Sequence, residues 1–477
     1  MATVKLPKFW QALLPMIILL FTALMSGLKW KAGMDIPLVV GIIAAAILGI
    51  FLKHKWSDLE KFIIEGIYKG IFPCLLLFII GAIIATWMQS GVIPSLIYYS
   101  LKLIDPHIFI PIVGLTTAIL SVSIGSSFTT IATIGVAFMV VGQGMGFPPA
   151  LVAGAVISGS YFGDKLSPLS ETTNLEPVVC DTDLISHVKH MLWDTIPALF
   201  ISIVIYYFVG LHYSTTTANL HHIKNIMNVL EHSFNLSSYL LLLPVLTIVL
   251  IIKRFPILPT LIFISVIGGI VAMVVQGNSL TQVILTVTNG FSSHTGLNDV
   301  DSLLNRGGLL SMLDVIMLII LSTALGGIMD GIGIFKAIIQ PIVQKARRTG
   351  SLIFLTVVST LIVGFASGSQ HLSIILSGQG FTKTYKERGL DTKNLSRCVA
   401  AGGAVGINLV PWSVNAFFGL AMLKVNPIDY IPFSYFVILV PLINIIYGFT
   451  GFSIVKIAPA AKNPSKEPEL QYREENM

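Results

Sequence analysis

The sequence predicts an all-α polytopic membrane protein of roughly 10–13 transmembrane helices in two inverted-topology repeats, with broken helices or hairpins at the midplane. Three observations predict it: an extreme apolar composition, apolar runs of membrane-crossing length, and an ungapped internal repeat.

Of 477 residues, 54% are hydrophobic and 11% charged. A typical soluble domain is about 25% charged, so no soluble core accounts for this much apolar surface. Apolar runs occupy residues 10–28, 36–52, 72–88, 108–124, 196–211, 236–252, 258–275, 309–328, 352–363 and 431–454. Most reach the about 17–25 residues needed to cross a hydrocarbon layer of about 30 Å. The first lacks a small-residue cleavage site and is followed by further spans, so it reads as a span rather than a leader.

The formal charge of +6 does not point to nucleic acid. Its basic clusters, Lys53-His54-Lys55, Lys345-Ala346-Arg347-Arg348 and the stretch 383–393, fit the short cytoplasmic loops that set membrane topology. Three cysteines, Cys74, Cys180 and Cys398, show no CxxC spacing, which argues against a disulfide framework or a structural metal. His212, His221, His222 and His232 fall in or beside residues 213–238, a stretch rich in Thr, Ser and Asn. That composition reads as a solvated connector. The expected organisation is an N-terminal half (1–212), a polar connector (213–238), a C-terminal half (239–455) and a polar tail (456–477).

Shifting the chain by 243 residues aligns Gly125-Ser126 with Gly368-Ser369, Ile131 with Ile374, Gly135 with Gly378 and Phe138 with Phe381. Gly146 meets Gly389, Val156 meets Val399 and Gly159 meets Gly402. The match closes with Gly163, Leu166, Pro168 and Ser170 on Gly406, Leu409, Pro411 and Ser413. Between Phe138 and Gly159 the first copy has no Lys or Arg, whereas between Phe381 and Gly402 the second has Lys383, Lys386, Arg388, Lys393 and Arg397. If basic loops stay cytoplasmic, equivalent connectors lie on opposite faces. That is an inverted repeat, the architecture of many secondary transporters, with a site between the halves near the midplane.

Each copy carries a polar stretch at membrane depth. Pro168 and Pro411 should break their helices, and a broken backbone is tolerated in a bilayer only against protein or a water-filled cavity. Freed carbonyls, the hydroxyls of Ser170, Thr172 and Thr173, the Asn174 amide and a carboxylate are hard oxygen ligands suited to an alkali cation. Intramembrane ionisable groups are functional candidates, which singles out Asp164, Lys165 and Glu171, with an Asp164–Lys165 neutral pair as the structural option. A buried carboxylate that yields its proton when Na+ arrives performs cation/proton exchange. In the second copy, Ser369, His371, Ser373, Ser413 and Asn415 are candidates for a second half-site or an organic substrate. Ser126 and Thr130 by themselves read as packing or self-capping residues. Asp194 reads as a cap at the head of a span.

The run Ser158-Gly-Ser-Tyr-Phe-Gly-Asp-Lys-Leu-Ser-Pro-Leu-Ser-Glu-Thr-Thr-Asn174 resembles the signature of NhaC-type sodium/proton antiporters, a family that includes malate/Na+–lactate antiporters. Supporting similarity lies in Tyr385-x-x-Arg-Gly-Leu390, Asn394-Leu-Ser-Arg397 and Pro411-Trp412. The resemblance implies a multi-pass secondary transporter of the cytoplasmic membrane that exchanges Na+ for H+. One departure stands out: where the family continues with a Glu-Asp pair and a Gly-Thr, this chain has residues 399–403, Val-Ala-Ala-Gly-Gly. A second half-site without acids keeps open an alternative, a Na+- or H+-coupled carrier of small carboxylates or amino acids. No enzyme is expected, for want of a nucleophile–base pair or an HExxH motif. No cofactor is expected either, and no metal beyond transported Na+. Expected partners are an inorganic cation, a small organic anion on the alternative reading, and membrane lipid, with a homodimer left open and nucleic acid excluded.

Overall fold

The computed structural model describes residues 5–30, 33–103, 105–217, 220–253, 255–293, 295, 301, 304–345 and 348–457. Ala346 and Arg347 of one basic run lie outside these residues, as does the predicted tail after Ile457. No side chain is described for His221 or His222.

The described residues are helical apart from connectors and one isolated bridge between Leu390 and Lys456. Among the described residues, seven helices are long and apolar enough to cross a membrane, and the number rises to ten if each of three bent pairs is one span. Three shorter apolar helices, Phe9–Met25, Asp35–Phe51 and Ile334–Val343, add to these. The spans divide into an inner and an outer class. Ile71–Gln89, Ser127–Gly144 and Leu310–Gly331 have most of their surface inside the protein, while Leu184–Tyr213 and Ile257–Gln276 leave most of theirs outside. Apolar side chains facing outward at that density, such as Phe200, Phe208, Phe263 and Val274, belong against lipid rather than water. All three cysteines are free and buried.

One feature departs from the sequence reading. Asp194 is not a cap at the head of a span. Its helix starts ten residues earlier and continues as Leu184–Thr217, so Asp194 is interior and fully buried; an ionic partner described below makes that tolerable. The connector 213–238 is largely helical, through the end of that helix and Leu220–Ser233.

The two repeat copies have matching local structure. In the first, Phe109–Ile124 ends on Gly125 in the left-handed conformation (φ 75°), and Ser126 caps the next helix. In the second, Thr349–Ser367 ends on Gly368 (φ 61°), and Ser369 caps Gln370–Glu387. Pro149–Leu166 then breaks before Glu171–Cys180. Its counterpart, Thr392–Leu409, breaks before Val414–Leu423 with a bend of 48°. The short helices end on Asp181 (φ 55°) and Lys424 (φ 56°), equivalent positions in the same unusual conformation.

Repeated glycines account for the tight packing that positions the breaks. A Cβ on Gly163 would stand 2.3 Å from the Ser121 Cβ, and one on Gly159 2.3 Å from the Gly114 carbonyl oxygen. Helix Pro149–Leu166 therefore lies directly on Phe109–Ile124, and no larger residue allows that approach. The second copy uses Gly402 against Val357 and Thr360 in the same way.

Candidate functional site

Both breaks face one cavity of about 410 Å³. The first copy lines it with Gly125 to Phe128, Asp164 and Ser170 to Thr172, and the second with Ser369 to His371, Val414 and Asn415. Lys69, Phe72, Pro73 and Thr323 complete the wall.

Asp164 lies at the end of its helix, one turn before the break, and is buried. The Ser127 hydroxyl donates to its Oδ2 at 2.8 Å and the Ser170 hydroxyl to its Oδ1 at 2.6 Å. Ser170 Oγ is also 3.0 Å from Thr172 Oγ1. A carboxylate and three hydroxyl oxygens thus gather around the first break. Asp164 makes no ion pair among the described residues, because neighbouring Lys165 turns away. The Lys165 ammonium meets Asp194 at 2.6 Å, with both side chains fully buried, and donates to the Thr195 hydroxyl at 2.9 Å. The neutral Asp164–Lys165 pair considered from sequence does not form, since Asp194 of Leu184–Thr217 takes the lysine.

Thr173 and Asn174 serve the broken backbone. The Thr173 hydroxyl donates to the carbonyls of Asp164 (2.8 Å) and Lys165 (3.1 Å), and the Asn174 amide donates to those of Pro168 (2.8 Å) and Ser170 (2.7 Å). These bonds satisfy acceptors that an interrupted helix leaves free. Glu171 is at the mouth: its side chain is 79% exposed and sits 3.1 Å from His371 Nε2, whose side chain is 41% exposed.

The second break is neutral. Ser369 and Ser413 cap helix N-termini, accepting from Leu372 N–H and Ala416 N–H. The Ser373 hydroxyl donates to the Gln370 carbonyl. Asn415 reaches the cavity, donating to the Tyr161 hydroxyl at 2.8 Å and to Gln370 Oε1 at 3.1 Å. Pro168 and Pro411 occupy the breaks themselves, between Leu166 and Glu171 and between Leu409 and Val414. The structure thus brings Asp164, Ser170, Glu171, Thr172, Ser369, His371 and Asn415 to the cavity. Thr173, Asn174, Ser373 and Ser413 are set behind it. Among the described residues, no group of three His, Cys, Asp or Glu side chains is arranged to hold a metal.

Sequence reasoning passed over a buried polar layer behind the cavity. Asn444 donates to Asp194 Oδ2 at 2.5 Å, Arg397 Nε donates to Asn444 Oδ1 at 3.0 Å, and Glu176 pairs with His187 at 2.8 Å. A signal was available: His187, His190 and Asp194 recur at i, i+3 and i+7, one face of one helix.

The sequence profile of the family described as Na+/H+ antiporter family matches residues 159–452, which takes in both breaks. The chain belongs to that family. It is the family that the motif ending at Asn174 resembles. The Na+/H+ antiporter NhaC of Alkalihalophilus pseudofirmus is 39% identical over 89% of this chain and 92% of the relative. The malate-2H+/Na+-lactate antiporter of Bacillus subtilis is 34% identical over 94% and 96%. The arginine/ornithine antiporter ArcD of Halobacterium salinarum is 33% identical over 98% and 96%. The protein is therefore a secondary transporter of the antiporter class and a multi-pass protein of the cell membrane.

Proposed function

We propose that the protein exchanges Na+ for H+ across the cytoplasmic membrane, with Asp164 as the group that both ions contest. One observation carries this: Asp164 is a buried carboxylate with no cationic partner among the described residues, ringed by hydroxyls, on a cavity between the two copies. Charge in such surroundings is costly unless neutralised. Na+ neutralises it by ligation, with the oxygens of Ser127, Ser170 and Thr172 turning lone pairs toward the ion. A proton neutralises it by forming the acid. The two exclude each other on the same oxygens, and that exclusion couples their fluxes in opposite directions. Because bound Na+ requires the deprotonated form, lowering the pH must raise the Na+ concentration needed for half-maximal exchange. Glu171, at the mouth, supplies a negative charge on the entry path.

A second reading has its own observation. The cavity also holds Lys69, His371 and two helix N-termini capped by Ser126 and Ser369, all favourable to an anion, and it exceeds the size of a bare cation. On that reading a small carboxylate or amino acid travels with the coupling ion.

Everted vesicles energised with a pH gradient separate the two. Under the first, added Na+ alone dissipates the gradient and D164N does not respond. Under the second, dissipation or labelled uptake requires malate, lactate or an amino acid. Full exchange by D164N would remove Asp164 from the site.

A further inference from the structure

One buried acceptor beside the second break has nothing to accept. Asn408 ends the broken helix Thr392–Leu409, shortly before Pro411, and its side chain is buried. Its amide NH2 donates to the Val405 carbonyl at 2.9 Å. Only the nitrogen end of an amide can face a carbonyl, so that bond fixes the side chain's orientation. Asn408 Oδ1 is left buried with no hydrogen-bond partner among the described residues. An acceptor in that state is destabilising until a donor turns toward it.

The available donor is the Tyr161 hydroxyl. Tyr161 lies one turn before Asp164 on Pro149–Leu166 and is buried. Its oxygen accepts from Asn415 Nδ2 at 2.8 Å, and the same amide nitrogen donates to Gln370 Oε1 at 3.1 Å. The Ser127 hydroxyl and the Asn408 side chain are the other hydrogen-bonding groups acting on Tyr161. Tyr161 therefore links Ser127, which touches Asp164, to the free acceptor of Asn408.

Each hydroxyl carries one hydrogen, so this row has two settings. In the structure Ser127 commits its hydrogen to Asp164 Oδ2. Tyr161 already accepts from Asn415, so its own hydrogen turns to Ser127 Oγ and Asn408 goes without. That setting also suits a protonated Asp164, because an acid can donate from one oxygen while the other still accepts from Ser127. Na+ cannot use it. To ligate Na+, Ser127 must turn a lone pair to the ion, and its hydrogen must leave Asp164. That hydrogen then meets Tyr161 Oη, whose own hydrogen swings to Asn408 Oδ1, and every group in the row is satisfied. No covalent bond breaks and no proton changes owner. Na+ and H+ leave the same net charge on Asp164; what distinguishes the two states is the direction in which two hydroxyls point.

We propose that Tyr161 and Asn408 are positioning residues of the cation site: Tyr161 takes the Ser127 hydrogen when Na+ binds, and Asn408 Oδ1 takes that of Tyr161. The proposal rests on the Na+/H+ reading and sharpens it. Na+ affinity depends on a row of hydrogen bonds that proton affinity does not use, and the row carries the Na+-bound state from the first break to the second.

The test titrates purified protein with radiolabelled Na+ over a series of pH values. This yields the Kd at alkaline pH and the pH at which protons begin to displace the ion. In Y161F the Ser127 hydrogen has no acceptor in the Na+ state, so the alkaline Kd should rise about tenfold. The displacement pH should move by less than about 0.3 units, because the proton-bound setting keeps the Ser127 bond to Asp164. N408L should raise the Kd at least about threefold, and Y161F combined with N408L should bind no more weakly than Y161F alone, since Asn408 acts through Tyr161. A Y161F Kd within about twofold of wild type, a displacement pH that moves in step with the Kd, or losses that multiply in the double variant would each overturn the proposal and leave the Na+/H+ reading intact. A wild type that binds no Na+ at any pH brings down both. Should Y161F fail to fold, N408L is read alone, and an unchanged Kd overturns the proposal.

Discussion

The first and second breaks share a backbone and differ in charge. Each begins with a left-handed glycine and a serine cap, and continues through a glycine-packed helix to a proline and a second short helix, which Ser413 caps in the second copy while Ser170 in the first turns to Asp164. At the equivalent places, Asp164 faces Ile407, Lys165 faces Asn408, Glu171 faces Val414 and Glu176 faces Gly419. The first copy handles its ions by dividing them: Lys165 goes to Asp194, Glu176 to His187, and Asp164 is left to the cavity. The second handles the same geometry with neutral amides, Gln370 and Asn415 bonding each other and Tyr161. The difference teaches that the repeated backbone supplies the cavity, and that side-chain charge at the break, present in the first copy only, supplies the chemistry.

The largest expected effect tests that division directly. D164N should reduce Na+-dependent exchange in vesicles to background, whereas N415A, at a neutral residue of the second copy on the same cavity, should retain measurable exchange with a loss of about tenfold. Equal losses would mean that the charge asymmetry is not functional.

Next comes stability. K165M leaves Asp194 buried without its cation, which should cost about 3–5 kcal/mol. N408L, at the matching position, removes a bond from the Asn408 amide to the Val405 carbonyl and should cost about 1 kcal/mol. Thermal unfolding in detergent reads both, and K165M combined with D194L should recover much of the loss.

The shared device should respond alike in both copies. A Cβ at Gly125 would stand 2.5 Å from Leu169 Cβ, and one at Gly368 2.2 Å from Ser322 Oγ. With the left-handed backbone cost, G125A and G368A should each destabilise by at least about 1–2 kcal/mol. A large disparity between their melting shifts would break the equivalence.

The smallest effect is expected at Glu171. It is exposed at the mouth, so E171Q should raise the Na+ concentration for half-maximal exchange by less than about threefold, with the maximal rate unchanged.

Much of this was legible beforehand. Composition and run length predict the helical membrane fold, because a bilayer demands long apolar segments whatever their packing. The repeat was legible because the left-handed turn, the close helix crossing and the break can be filled by few residue types, so Gly125, Gly159, Gly163 and Pro168 recur. Partner choice was not. Whether Lys165 pairs with Asp164 or with Asp194, 29 residues away, depends on how two helices cross, and local spacing is silent on that. The same holds for Glu176 with His187, whose bond to Ser396 spans 209 positions. Thr173 and Asn174 illustrate another limit. Their composition suits a cation, yet at a break the backbone competes for the same polar groups, and here it takes them.

Cys74, Cys180 and Cys398 are all buried, which makes the surface of this protein free of native thiol among its described residues. A single cysteine placed at Glu171 or His371 would then be the residue a water-soluble maleimide finds first. Its labelling rate, with and without Na+, would report how open the cavity mouth is in the membrane, with every native cysteine left in place.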